Sequence, residues 1–297
     1  MSAVTTAVTT AVTTAMTYLF VPGDRPERFD KAAAAAPDAL ILDLEDAVHP
    51  DAKPAARAAI AAWLLERGAQ AQAYVRINDA SSPAFAADMA WLRALPPGAP
   101  LAGLLVPKAE DPAALGEIAQ ALAQVNPQGR LVAIIESACG LHGIDAVATA
   151  QGVSRLAFGS LDFAVDLGCT HTREALLMAR SRIVLASRVA GLPPPVDGVT
   201  TALKDEAVLA DDVAHARALG FAAKLCIHPA QLASVRAGFL PTAEQLDWAQ
   251  RVLDATASGS HAVQVDGKMV DRPVIEQARR MLALAALTGT EPAITQP

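Results

Sequence analysis

Six short apolar runs in this 297-residue chain end on groups that can do chemistry. The run from Ala39 ends in Asp43, Glu45 and Asp46, AYVRIN carries Arg76 and Asn78, and AGLLVPK ends in Lys108. LVAIIES ends in Glu136 and Ser137, RLAFGS leads into Ser160 and Asp162, and AAKLCIHP ends in His228. A charge within an apolar run is costly unless it is paired or holds a metal. Six such breaks, all at the carboxyl ends of their runs, mark a site.

Oxygen donors dominate the set. Glu136 and Asp162 follow neighbouring runs, and two carboxylates completed by waters and a chelating oxo acid suit octahedral Mg²⁺. No soft ligand accompanies them, which argues against zinc or copper. Pairing of each carboxylate with an Arg or Lys is the competing account. Arg76 can clamp a carboxylate bidentately or stabilise an oxyanion. A salt bridge from Arg76 to Glu45 or Asp46 is the structural alternative and is compatible with both roles. Lys108 can hold a phosphate, tune nearby carboxylates or act as a counter-ion. His228, alone before a proline, reads as a packed, hydrogen-bonded residue rather than a base. Arg25, Arg28 and Lys31 in PGDRPERFDKA lie where a helix starts after the first run. They suit the phosphates of a nucleotide-bearing substrate, or form a solvated helix face.

The elements that must position these groups alternate along the chain. Eight β-rich runs start at Tyr18, Ala39, Ala73, Ala102, Leu131, Arg155, Pro195 and Ala222, separated by Ala-rich stretches. Each run is near-continuously apolar in its middle, as strands buried on both faces are. Helical spacing appears between them: Leu115, Ile118, Ala119 and Leu122; Ile60, Trp63 and Leu64; and Leu176, Leu177, Ile183 and Val184. Asp111-Pro112 reads as a cap followed by a first-turn proline. The expected fold is therefore an α/β (β/α)₈ TIM barrel over 18–240, with chemistry at the carboxyl ends of the strands. A doubly wound open sheet is the runner-up, disfavoured by the strand count and by the lack of GxGxxG after the first strand. Helix-like stretches from Thr242 and Asp271 form a C-terminal helical extension over 241–297, placed to pack on the barrel mouth or to reach a neighbouring subunit. Residues 1–17, a repeat of AVTT, read as a disordered tail.

Composition excludes several classes. A net charge of −7 argues against nucleic acid or an anionic membrane as the main partner. No apolar run reaches the roughly 18 residues of a membrane span. The first seventeen residues lack Lys and Arg, so a basic secretory start is missing. Three cysteines without metal spacing, Cys139, Cys169 and Cys226, fit a reducing cytoplasm.

Nine ordered motifs carry a family resemblance: FVPGDRPERFDKA, DALILDLEDAV, VRIN, GLLVPKAE, AIIESACGL, LAFGSLDFAVDLG, GLPPPVDGV, ALGFAAKLCIHPAQ and DGKMVDRPVIEQAR. Spanning about Tyr18 to Arg280, they resemble the citrate lyase β-subunit-like proteins of the HpcH/HpaI aldolase superfamily, which include malyl-CoA and citramalyl-CoA lyases. The resemblance implies a TIM barrel assembled as trimers or hexamers, Mg²⁺, and a thioester of CoA or of an acyl carrier as substrate. It implies Glu136 and Asp162 as metal ligands and Arg76 as the oxo-acid-binding group. It places Glu45 and Asp46 near the site, and Asp271 as the acid/base on the extension. Arg25 and Lys31 fall in its CoA pocket. His228 stands where β-subunits of the three-subunit complex tend to have Asn, which favours a stand-alone enzyme.

On these grounds the expected activity is Mg²⁺-dependent cleavage or formation of a 3-hydroxyacyl-thioester such as malyl-, citramalyl- or citryl-CoA. The products are an acyl-CoA and a 2-oxo acid. The alternatives are a malyl-CoA thioesterase or malate synthase-type outcome, or the β subunit of a citrate lyase complex. A metal-dependent mutase or class II aldolase acting on free oxo acids is a further rival.

Overall fold

Every apolar run becomes a barrel strand in the computed structural model, which describes residues 15–68, 73–257 and 263–288. The strands are β1 (Thr17–Pro22), β2 (Ala39–Asp43), β3 (Ala73–Arg76), β4 (Leu101–Val106), β5 (Arg130–Ile135), β6 (Val153–Phe158), β7 (Val196–Asp197) and β8 (Ala223–Cys226). They close in sequential order into a barrel, every neighbouring pair parallel. Between and after them run α1 (Phe29–Ala34), α2 (Lys53–Arg67), α3 (Phe85–Ala94), α4 (Pro112–Val125), α5 (Ala138–His142), α6 (Ile144–Ala148), α7 (Ser160–Leu167), α8 (Arg173–Val189), α9 (Glu206–Leu219) and α10 (Gln231–Phe239). This is the (β/α)₈ arrangement expected from the alternation.

Strand alternation decides which side chains fill the barrel. Tyr18, Ile41, Tyr74, Leu105, Val132, Ile134, Ala157, Val196, Ala223 and Leu225 form one buried cluster. At its amino-terminal end Arg155 is fully buried. Its guanidinium donates to the carbonyls of Pro194 (2.8 Å) and Ala15 (2.7 Å) and to the Tyr18 hydroxyl (3.1 Å). Asp38 accepts from the Met16 and Thr17 amides and the Thr17 hydroxyl. These bonds bring Ala15, Met16 and Thr17 into the barrel, correcting the expected tail boundary at residue 17. The rest of that segment, 1–14, lies outside the described residues.

Two further readings change. Leu176 and Ile183 are fully buried, but Leu177 is 44% exposed, so the apolar stripe of α8 is narrower than its spacing suggested. The PVDGVT run supplies only Val196 and Asp197 as strand. Beyond them the carbonyls of Gly198 and Thr200 accept from the Lys224 and Gln231 side chains instead of from a neighbouring strand. The Asp111 cap stands as read, accepting from the Ala113 amide ahead of α4.

The chain divides into two compact units, with the break after Val235 inside α10 rather than at 240. The second unit contains α11 (Ala243–Ala257), β9 (Val263–Val265), β10 (Lys268–Val270) and α12 (Arg272–Thr288). Ala249, Val252, Val265 and Ala278 form its buried centre, with Trp248, Ile275 and Met281 packed against them. The antiparallel β9–β10 hairpin turns on Asp266-Gly267, both at positive φ, the conformation a two-residue Asp-Gly turn requires. The two expected helices are present, and the hairpin between them is an addition to the sequence reading. Among the described residues no helix is long and apolar enough to cross a membrane.

Candidate active site

Register brings the first two site residues together. Asp43 and Arg76 end adjacent strands and are Cα partners. Arg76 donates from Nε and Nη2 to the two Asp43 oxygens at 2.7 and 2.6 Å, a bidentate clamp. Asp43 also accepts from the amides of Glu45 and Ala47. Arg76 Nη1 lies 2.6 Å from Glu45 Oε2, yet its N–H does not point at that oxygen, which is buried without a hydrogen bond. The guanidinium sits over the Phe20 ring at 4.8 Å. The expected partners were Glu45 or Asp46. The clamp is Asp43, while Asp46 is exposed.

Glu136 follows β5 and is 4% exposed. Its Oε1 accepts from the Lys108 amide at 2.9 Å, and Oε2 makes no hydrogen bond among the described residues. Lys108 adopts φ +41°, a strained conformation for a residue with a Cβ, and this turns its amide onto Glu136. Gly159 follows the neighbouring β6 and donates to the Ile135 carbonyl at 3.0 Å. A Cβ there would come closer to the Glu136 side chain than the 3.0 Å limit of real contacts. The φ of −83° suits an alanine, but its Cβ would press on Glu136 Cβ as well as on the carboxylate, so Gly159→Ala should shift the end of β5 and displace the Glu136 carboxylate. A loss of ~10–100-fold in divalent-metal affinity, read by calorimetry, is the expected result.

Asp162 lies in the first turn of α7 and is exposed. It is close enough for its charge to raise the Glu136 pKa. Burial is the larger cause, and together they push Glu136 up to about 7. Glu45 is pushed up to about 8, chiefly by burial, with Glu136, Asp46 and Asp43 adding repulsion against the pull of Arg76. Burial would lower the Arg76 pKa, but Asp43, Glu45 and Glu136 outweigh it and hold the guanidinium above its ordinary value. Lys108, its Nζ 3.9 Å from Asp79, is likewise raised by Asp79, Glu45, Glu136 and Asp46 against desolvation.

Six carboxyl groups (Asp43, Glu45, Asp46, Asp79, Glu136 and Asp162) thus face two cations, Arg76 and Lys108. The excess, the reluctance of Glu136 and Glu45 to ionise and the free Glu136 oxygen fit a hard divalent cation. Among the described residues no group of three or more His, Cys, Asp or Glu could hold a metal. Glu136 and Asp162 therefore fit a site completed by waters and substrate rather than a full protein cage.

Arg25 and Lys31 are exposed after β1 and make no ion pair among the described residues, whereas Arg28 lies 3.9 Å from Glu27. His228 is exposed rather than packed, and its Nδ1 accepts from the Ala230 amide. Asp271 belongs to the second unit, where its side chain accepts from the Val274 amide at the start of α12. Sequence reasoning listed Asp43 as a strand-end charge without a role. Its position at the end of the strand preceding the Arg76 strand was the signal.

Fold and site together define a (β/α)₈-barrel enzyme arranged for a hard cation and an anionic substrate. A model of the HpcH/HpaI aldolase/citrate lyase family matches residues 16–229, and the chain belongs to that family. The (3S)-malyl-CoA thioesterase of Cereibacter sphaeroides is 33% identical over 275 residues, covering 90% of this chain and 93% of the relative. The mitochondrial citramalyl-CoA lyase of Rattus norvegicus is 30% identical over 293 residues, covering 90% and 85%. The crystal structure of CitE from Mycobacterium tuberculosis in complex with magnesium, acetoacetate and coenzyme A is similar with a TM-score of 0.78. Its identity is 35%, and the match covers 92% of this chain and 98% of that one.

Proposed function

We propose that this protein is a Mg²⁺-dependent carbon–carbon lyase that cleaves or forms a 3-hydroxyacyl-CoA thioester, exchanging it with an acyl-CoA and a 2-oxo acid. The observation carrying this reading is the buried, cation-deficient Glu136 beside Arg76 at the barrel mouth. Glu136 and Asp162 hold the metal. When bound, Mg²⁺ supplies Lewis-acid polarisation of the substrate hydroxyl, or of the oxo group it becomes.

Arg76 takes the oxo-acid carboxylate. It carries five N–H donors, of which Asp43 uses two. Asp43 and Glu45 hold the guanidinium in place, so little reorganisation accompanies charge development. The Lys108 amide orients Glu136, and its ammonium, together with Asp46, borders the substrate entrance. Arg25 and Lys31 take the CoA phosphates. Asp271 protonates the acyl-CoA α-carbon after cleavage, or removes that proton in condensation. Asn caps a helix as well as Asp, so Asp271→Asn should keep its unit folded. The expected result is acetyl-CoA α-deuterium exchange falling by ~10²–10⁴-fold with Mg²⁺ binding unchanged. Exchange at the wild-type rate would return Asp271 to capping alone.

We place the enzyme in the cytoplasm as a homotrimer or hexamer, in keeping with its three free cysteines and the family resemblance. Val165, Met178 and Val189 are all strongly exposed and give such an assembly apolar side chains to cover. The test of the activity is a panel of malyl-, citramalyl-, β-methylmalyl- and citryl-CoA, with Mg²⁺ or chelator, followed for oxo acid and free CoA. Metal-dependent release of oxo acid with acyl-CoA is expected. Free CoA without oxo acid would establish the thioesterase outcome instead, and turnover indifferent to chelation would remove the metal assignment.

A further inference from the structure

The outward faces of barrel strands ordinarily meet their helices through apolar side chains. The last strands depart from this. Val196, Ala223 and Leu225 fill the barrel, so the alternate residues Asp197 and Lys224 face outward, yet they are 2% and 1% exposed. Arg180 of α8, 7% exposed, donates from Nε to Asp197 at 3.0 Å and lies 5.2 Å from the Phe158 ring. Lys224 Nζ donates to the other Asp197 oxygen (3.2 Å) and to the Gly198 carbonyl (2.6 Å). A charged triad in a layer that could be apolar is costly, and stability alone gives no reason for it.

Arg180 and Lys224 line a cavity of about 210 Å³ between α8, α9 and the segment after β7, with Arg173, His171 and Thr201 also on its wall. Its hydrogen-bonding capacity is unbalanced. Arg180 uses only Nε, and its two Nη groups donate to nothing among the described residues. Asp212 is the one carboxylate on the wall, and it is committed to the Thr200 hydroxyl (2.6 Å) and to Arg173 (3.2 Å). Nearby, His215 Nε2 is buried without a partner. Burial, then the charges of Arg173 and Arg180, lower the His215 pKa from its ordinary value.

We infer that this pocket binds a small oxyanion, a phosphate or a short carboxylate, through the unused guanidinium donors of Arg180 and the neighbouring Arg173. Planar, bidentate recognition of such anions is what a guanidinium does best. The size sets the class, since cavities for drug-sized ligands start near ~300 Å³ and a nucleotide or CoA does not fit. The site is separate from the barrel mouth, because its strand residues point to the opposite side of the sheet from Arg76. It does not depend on the lyase reading.

The test is calorimetric titration of the full chain with inorganic phosphate, and separately with pyruvate, in chelator and a non-coordinating buffer. Saturable 1:1 binding in roughly the millimolar range is expected. Val208→Trp fills the cavity from α9, where Val208 is 42% exposed, and should abolish it. Arg173→Gln, at a half-exposed position that spares the buried triad, should weaken it by ~10-fold or more. Arg25→Gln, which removes one of the candidate phosphate contacts at the barrel mouth, should leave phosphate binding unchanged. No saturable binding in the wild type, undiminished binding in both pocket variants, or loss in Arg25→Gln would overturn the assignment. The difference between phosphate and pyruvate tells which oxyanion the pocket prefers.

Discussion

Replacing Arg76 with Ala is expected to lower kcat/KM for thioester cleavage by ~10³-fold, as loss of a preorganised oxyanion partner does, and to cost ~3–5 kcal/mol of stability. Both effects follow from one geometry. Arg76 and Asp43 are 12% and 1% exposed at their side chains and meet through two bonds under 2.8 Å. Removing the guanidinium strands the Asp43 carboxylate, with only two backbone amides left to satisfy it. Arg76→Lys separates the two effects. The ammonium restores a charge beside Asp43 but not the fork that can bind Asp43 and an oxo acid together. Most of the stability should return, while kcat/KM stays ~10²-fold down. Urea unfolding and steady-state kinetics on both variants measure this, and wild-type turnover in Arg76→Lys would remove Arg76 from substrate binding.

How far the sequence could be read follows from what periodicity encodes. Alternating apolar and polar segments report which stretches are strands and where each ends, so the eight strands and the charges at their ends were legible. Periodicity says nothing of register, and register pairs Arg76 with Asp43 rather than Glu45 or Asp46. Nor does it report backbone strain: Lys108 looked like a counter-ion, while its positive φ makes its amide the orienting donor to Glu136. The Asp197–Lys224 pair was hidden for a related reason, since attention to the ends of the apolar runs passes over charges inside them. Asp266-Gly267 was legible as a hairpin turn, but lay within a motif noted for Asp271. Asp271 is exposed and caps a helix, so nothing local to it announces chemistry.

Glu136→Gln should lower Mg²⁺-dependent turnover by at least ~10³-fold, because the Lewis-acid contribution is several kcal/mol and each ~1.4 kcal/mol is tenfold in rate. The amide keeps the shape of Glu136 and an oxygen for the Lys108 N–H, so the loss reads as lost charge rather than lost fold. The metal-free protein gives an independent readout. Burial and the charge of Asp162 push Glu136 up to about 7, and burial pushes Glu45 up to about 8. In the unfolded chain both ionise near the ordinary value of 4.5. Between those limits the folded state binds more protons than the unfolded one, so stability must fall as pH rises from about 4.5 to about 8 and level off above. Mg²⁺ needs the ionised carboxylate, so its stabilising effect must grow over the same interval. Glu136→Gln removes one of the two groups responsible and one source of repulsion on Glu45. Without metal it should be more stable than the wild type at pH 8, and it should gain nothing from Mg²⁺ at any pH. Thermal unfolding from pH 5 to pH 9, with Mg²⁺ or with chelator, distinguishes these outcomes. A wild-type profile flat in chelator, or a Mg²⁺ response surviving in Glu136→Gln, would show that this carboxylate does not hold the metal.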